Sequence, residues 1–238
     1  MSGQVAESVR EHVVDVGKRH IREINEEIQD ACARGEKVRV INTLSRHNLG
    51  IGLPDGAEVH FEGSVGYYCG GLNTGATIEI ERNAGWAVGE GMAKGHITVG
   101  GYAGMSCGAA MIGGTIHVKG DAGPRVGVAM KGGNIVVEGR IGYQSGFMAH
   151  AGKIIALGGA GASCADALWQ GEVWVAGEIE SLGVDVSVLE PTAEQVAEVD
   201  AILAPLGLAD PSREWKRMVS GQRLWFFESR DASAWLMI

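Results

Sequence analysis

The sequence predicts a mainly β protein: a single-stranded, right-handed parallel β-helix built from 19-residue coils, with helices at its N- and C-terminal ends. Three observations carry that expectation. The chain holds 38 glycines but only 5 prolines in 238 residues, with no triplet period, and 45% of it is hydrophobic, so it is neither collagen-like nor a disordered linker. Cut every 19 residues from Ala57, it stacks into seven units without a gap, beginning at Ala57, Ala76, Gly95, Gly114, Gly133, Gly152 and Gly171. Each unit opens with apolar and polar residues in alternation, the period of a half-buried strand.

The columns of this stack define the expected coil. Column three reads Val59, Ile78, Ile97, Ile116, Ile135, Ile154 and Val173, and column five reads Phe61, Ile80, Val99, Val118, Val137, Ala156 and Val175. Both point inward. Column two (Glu58, Thr77, His96, Thr115, Asn134, Lys153, Glu172) points outward. Glycine recurs at columns seven, ten and fourteen, where a coil must turn or approach its neighbour closely. Nineteen residues are too few for a strand, a crossover helix and loops, which take about 30. They suffice for one coil of a parallel solenoid, and seven or eight coils at about 4.8 Å each make a rod about 35 Å long. A degenerate eighth unit fits upstream from Val38.

The expected organisation is an N-terminal helical arm over 1–37, the solenoid over 38–189 and a C-terminal helical and aromatic tail over 190–238. Residues 18–34 place Ile21, Ile24, Ile28 and Ala31 on one helical face, and Gly35 ends the helix. A second helix starts after Pro191 with the capping-box pair Thr192 and Gln195, and its apolar stripe is Val196, Val199, Ile202 and Leu203. The run "DPSREWKRMVSG" predicts a third, with Asp210 as N-cap and Pro211 at the first helical position. The last stretch, "RLWFFESRDASAWLMI", holds Trp225 and Trp235 among many apolar residues. It is expected to dock on the solenoid or on another subunit.

Charge and composition narrow the function. A net charge of −9 without a basic run disfavours nucleic acid and anionic membrane as partners. No apolar run approaches the ~20 residues of a membrane span. The N-terminal stretch shows no signal-peptide core, so the expected compartment is the cytoplasm and the four cysteines default to free thiols. Cys69, Cys107 and Cys164 share column thirteen with Val88, Val126 and Ser145, as small core residues would. The trio Gly159-Ala160-Gly161 opens like a dinucleotide fingerprint, but Cys164 stands at its third glycine and the repeat predicts another coil there. The histidines look scattered and solvated, with no carboxylate at triad or ligand spacing. No catalytic, cofactor-binding or metal site is expected in this chain. A β-helix polysaccharide lyase would carry an acidic or basic cluster on one face, which the outward columns do not show.

Two places break the pattern and become candidate partner contacts. Asn42, Arg46 and His47 interrupt the first coil with polar side chains. In column four, His60, Glu79, Thr98 and His117 give way to Val136, Ile155 and Trp174, so the outward face turns apolar in the last three coils and must be covered by the chain's own helices, a partner or both. Trp225 and Trp235 complete the candidate contacts.

The glycine ladder over about 38–185 resembles the GXGXG domain, found as the C-terminal part of the glutamate synthase large subunit and in the C subunit of formylmethanofuran dehydrogenase. Asn42, Thr43 and Arg46 look like the Asn-Thr-x-x-Arg stretch that opens the glutamate synthase domain. As a short acidic chain with helical ends, the sequence is most similar to the small GXGXG subunits of methylamine–glutamate N-methyltransferase (N-methylglutamate synthase). That resemblance implies a non-catalytic scaffold that holds, and lines a channel between, a class II amidotransferase-like subunit and an FMN and iron–sulfur synthase-like subunit. FMN and the cluster would belong to that partner, and none to this chain. The alternative is a subunit of another glutamate synthase-like or formylmethanofuran dehydrogenase-like complex.

Overall fold

A computed structural model describes residues 10–222. In chain order its elements are β1 (Glu11–Asp15), α1 (Ile21–Ala33), β2 (Lys37–Ile41), β3 (Glu58–Phe61), β4 (Thr74–Ile80), β5 (Lys94–Val99), β6 (Thr115–Val118), β7 (Lys131–Val137), β8 (Arg140–Ile141), β9 (Ala151–Ala156), β10 (Gly159–Ala160), β11 (Glu172–Val175), β12 (Val186–Leu189), α2 (Ala193–Leu203) and β13 (Lys216–Ser220). Eleven strands form one long sheet in the order β1-β2-β3-β4-β5-β6-β7-β9-β11-β13-β12, while β8 and β10 pair in a second wall. From β1 to β11 every pairing is parallel. This is a parallel β-solenoid of about seven turns.

The register is the sequence repeat made physical. Val59 lies beside Ile78, Ile78 beside Ile97, and the ladder continues through Ile116, Ile135 and Ile154 to Val173. All of column three and all of column five are buried. The pairing shifts by one residue at Thr74/Thr77 and again at Lys131/Asn134, and returns to the 19-residue register beyond each shift. A second ladder of small inward residues, Val65, Ala84, Ala103, Ala122 and Ile141, bridges coil to coil at column nine.

The remaining wall is built differently. In the third coil Ser106, Gly108 and Ala110 have φ of +63°, +66° and +52°. The alternation turns successive amides in opposite directions along the rod. Ser106 N–H donates forward to the Pro124 carbonyl (2.8 Å), Gly108 N–H back to Val88 (2.9 Å) and Ala110 N–H forward to Val128 (2.8 Å). Columns twelve and, Gly91 apart, sixteen thus hold non-glycine residues in the left-handed region, where each costs about 1–2 kcal/mol that the inter-coil hydrogen bonds offset. Column ten uses glycine for another reason: a Cβ on Gly85 would sit 2.7 Å from the Gly66 carbonyl carbon, so adjacent coils touch backbone to backbone.

The ends correct several expectations. The coil that opens at Val38 is two residues longer than the repeat: Val38, not Val40, pairs with Val59. The loop 42–56 takes the slack, with Asn42, Leu44, Ser45 and Asn48 left-handed. The N-terminal region is more than a helical arm, because β1 adds a parallel rung beside β2 and buries Val14. Helix α1 follows the predicted face, burying Ile24, Ile28 and Ala31, and Gly35 (φ +73°) follows its end. The third predicted helix does not form. Asp210 does accept from the Ser212 amide (3.1 Å), as a cap would, but the chain then extends into β13, antiparallel to β11 on one side and β12 on the other. The unpaired edge of β11 offers a row of backbone partners that a short isolated helix cannot match. The aromatic stretch with Trp225 and Trp235 lies outside the described residues.

These two uses of small residues predict opposite effects. Gly85→Ala forces a methyl against fixed backbone and should lower the urea midpoint sharply, by the equivalent of about 1–3 kcal/mol. Ala110→Gly relieves a left-handed alanine and should leave the midpoint unchanged or raise it by up to about 1 kcal/mol. Equal losses in both would contradict the assignment.

Candidate functional site

The loop after β2 carries the first group of candidate contacts, and the structure engages most of its polar atoms internally. Asn42 Nδ2 donates to Asp15 Oδ1 (3.1 Å). The Thr43 hydroxyl is buried between the carbonyls of Glu62 and Ser64, at 2.9 and 2.8 Å. The Arg46 guanidinium donates to the carbonyls of Gly17 (3.4 Å) and Arg19 (3.0 Å), tying the first coil to the segment between β1 and α1. From α1, Asn25 bridges the Asn48 carbonyl and the Gly50 amide, and Gln29 reaches the Ile51 carbonyl. The Asn-Thr-x-x-Arg pattern therefore fastens the first rung.

His47 is different. Its Nδ1 accepts from the Tyr67 amide at 2.9 Å, and its ring stacks on Tyr67, with centroids 4.3 Å apart. Tyr67 stacks in turn on Trp86, at 4.8 Å with planes 6° apart. The coil spacing sets that distance, so residues one lap apart in column eleven meet face to face. Beside this stack, Asn42, Thr43, Ser45, Glu62, Glu81 and Arg82 line an open depression of about 320 Å³.

The second group is covered by the chain itself. Val136, Ile155 and Trp174 are fully buried, packed under Val199 and Leu203 of α2 and against Trp215. The expectation that a partner shares this face is corrected accordingly. The capping box predicted at Thr192 is present, so α2 starts where its stripe must start to meet column four. Trp174 meets Trp215 edge to face (6.1 Å, 83°), and its indole N–H donates to Glu172 Oε2 (2.8 Å). Arg217 of β13 pairs with the other Glu172 oxygen, while Lys153 links Glu172 to Glu198 of α2. Burial pushes the Glu172 carboxyl up; the hydrogen bonds from Arg217 and Trp174 and the charges of Arg217 and Lys153 outweigh it and hold the group below the usual glutamate range.

Sequence reasoning missed the histidine–carboxylate pairs. His60 lies 3.3 Å from Glu79, and His117, almost wholly buried, lies 2.9 Å from Glu138. The partners are 19 and 21 residues apart, one lap and one lap plus two, so column arithmetic contained the signal. His96 is held below the usual histidine range, first by burial and then by the charge of His117. The column-thirteen thiols are free and buried, and desolvation pushes Cys107 and Cys164 up to about 12, which keeps them protonated and inert at neutral pH. Among the described residues no group of three or more His, Cys, Asp or Glu is placed to hold a metal ion. Gly159 and Ala160 form a rung of the second wall and do not open a helix.

Glu172 makes the C-terminal cap sensitive to acid. Its native value is depressed, so its contribution is complete above the range where an unfolded glutamate titrates (about 4.3) and is lost as the pH falls through the lower native value. Glu172→Gln should cost about 1.5–3 kcal/mol at neutral pH and flatten the acid limb of a thermal-stability profile. An unchanged limb would remove Glu172 from that role.

Comparison with known proteins agrees with this architecture. No curated protein matches the sequence. The model of the GXGXG motif family does, over residues 7–202, a span that takes in β1, α1, the whole solenoid and most of α2. The chain belongs to the GXGXG motif family.

Proposed function

We propose that this chain is the scaffold subunit of a glutamate synthase-like complex, and that the complex is a methylamine–glutamate N-methyltransferase. The overall reaction joins methylamine and L-glutamate to give N-methyl-L-glutamate and ammonia. In this reading the chemistry resides in a class II amidotransferase-like subunit and in an FMN and iron–sulfur synthase-like subunit, and the assembly is cytoplasmic.

The observation that carries the reading is the unbroken register from Val59 to Val173. A rod whose every coil is bonded to two neighbours holds a fixed length, and two active sites that exchange a small amine need a fixed separation. Membership of the GXGXG family supports it. So does the use of the polar residues that a catalyst would otherwise employ: Thr43 and Arg46 serve backbone carbonyls, and three of the four cysteines are buried in the core. Among the described residues no helix is long and apolar enough to cross a membrane.

The outer sheet face of the first coils remains available to a partner. It presents Glu58 and Glu79, both exposed, beside Glu62 and Glu81, with Lys37 paired to Glu58, Arg39 to Glu62 and His60 to Glu79. A charged face of this kind orients a partner of complementary charge and makes assembly salt-dependent.

Tagged chain purified from its native cells should bring down an amidotransferase-like and a flavin- and cluster-containing subunit in fixed ratio. The assembly should turn over methylamine and glutamate, whereas the chain alone should not. Glu58→Lys combined with Glu79→Lys should slow assembly about tenfold at low salt and leave the isolated chain folded. Turnover by the chain alone, or co-purification with molybdenum or tungsten formyl-dehydrogenase subunits instead, would overturn the assignment.

A further inference from the structure

The left-handed wall, columns eleven to eighteen, is the least charged surface of the rod. From Trp86 to Trp169 it carries Glu90, Arg125, Lys131 and Asp166 as its only permanently charged side chains. Two of these are tied into one polar row, Arg125 donating to Gln144 Oε1 (3.2 Å) and Gln144 donating to Asp166 Oδ2 (3.1 Å). Around them the wall exposes large apolar groups: Leu72, Trp86, Ile112 (59%), Tyr143, Met148 and Val184 (68%). Exposed apolar groups this numerous on one wall mark a surface that something covers.

The described chain leaves the fold at this wall. After β13, the Gly221 amide donates to the Asp185 carbonyl (2.7 Å) and the Gln222 side chain donates to Asp185 Oδ2 (2.7 Å). Asp185 is itself left-handed (φ +61°) and sits on the last coil of the same wall, next to Val184. Sixteen residues of the sequence follow, 223–238. At about 3.3 Å per residue they reach roughly 50 Å, against roughly 24 Å from the coil of Asp185 to the coil of Trp86.

Their composition fits the wall. Leu224, Trp225, Phe226 and Phe227 precede the charged run of Glu228, Arg230 and Asp231, and Trp235, Leu236, Met237 and Ile238 follow it. On the wall, Val184, Tyr143 and Met148 lie on one side of Arg125 and Lys131 along the rod, and Ile112, Trp86 and Leu72 lie on the other, with Asp166 and Glu90 further out. Two apolar patches flanking Arg125 and Lys131 face two apolar clusters flanking a run of two acids and one base.

We infer that segment 223–238 covers the left-handed wall of its own rod, apolar cluster on apolar patch, with Glu228 and Asp231 opposite Arg125 and Lys131. The solenoid then has two covers from its own C-terminal region, α2 on the sheet and this segment on the opposite wall. The charged sheet face of the first coils is what remains open.

Thiol alkylation of the full chain tests this. In a Cys32→Ser background the remaining native thiols are buried. Met148→Cys reports on the wall and Glu79→Cys on the open sheet face. At low micromolar concentration the Met148→Cys thiol should react about tenfold more slowly than the Glu79→Cys thiol. Trp225→Ser with Phe227→Ser should bring the two rates within about twofold. Equal rates with the native segment present would overturn the inference. So would protection that fades on dilution, which would assign the wall to a second copy, or protection that appears only when other subunits are added. A benzophenone side chain in place of Phe226 gives an independent reading in the same chain. Crosslinks within the chain to columns eleven to eighteen support the inference, and crosslinks to the sheet face overturn it.

Discussion

Everything in this structure depends on hydrogen bonds between successive coils at one constant lap length. A backbone amide gains about 0.5–1.5 kcal/mol net from such a bond, and the gain recurs at most positions of every lap. It is available only if each residue lies directly above its counterpart. In the left-handed wall the constraint is visible in single residues: Gly108 bonds backward to Val88 while Ser106 and Ala110 bond forward to Pro124 and Val128. The one lap of different length there is the last, a residue shorter, where Cys164 bridges Leu182. Extra residues are found in the loop 42–56 of the first coil, outside the repeated wall.

A rod of stacked laps has stable contacts along its length and two unsatisfied ends. The two ends are finished by different means. At the N-terminal end β1 adds a further parallel rung that α1 connects to β2, and Arg46 ties the segment after β1 to the first coil. At the other, β13 enters antiparallel beside β11, and β12 lies outside it. The change of direction ends the parallel ladder. The Glu172, Arg217, Lys153 and Trp174 cluster fixes this strand and α2 together over the apolar half of the sheet. Val136, Ile155 and Trp174 are apolar because they lie beneath this lid.

The same geometry suits the role proposed for the chain. Neighbouring laps stack like on like, so the surface properties of the rod are columns: a charged sheet face at the first coils, an apolar sheet face under α2 and a sparsely charged left-handed wall. A scaffold needs distinct faces at fixed spacing, and columns supply them. The same stacking places His47, Tyr67 and Trp86 ring on ring. It also buries the column-thirteen thiols, whose chemistry is suppressed by desolvation.

The sequence by itself determined the lap. The period, the inward columns three and five, the glycine columns and the apolar stripe of α2 are local or strictly periodic features, and a repeat multiplies each of them seven times until it is legible. Only the tertiary structure decided what happens where the repeat stops. The segment after Asp210 has a helix-like cap yet forms β13, because the open edge of β11 supplies hydrogen bonds that no local pattern encodes. Val38 slides two positions in register because the loop after β2 is held by Asn25 and Gln29 of a helix that is remote along the chain from most of that loop. His117 finds Glu138 because one lap brings them together. Periodic information survives in one dimension; the matching of ends, lids and cross-lap pairs depends on which surfaces meet in three.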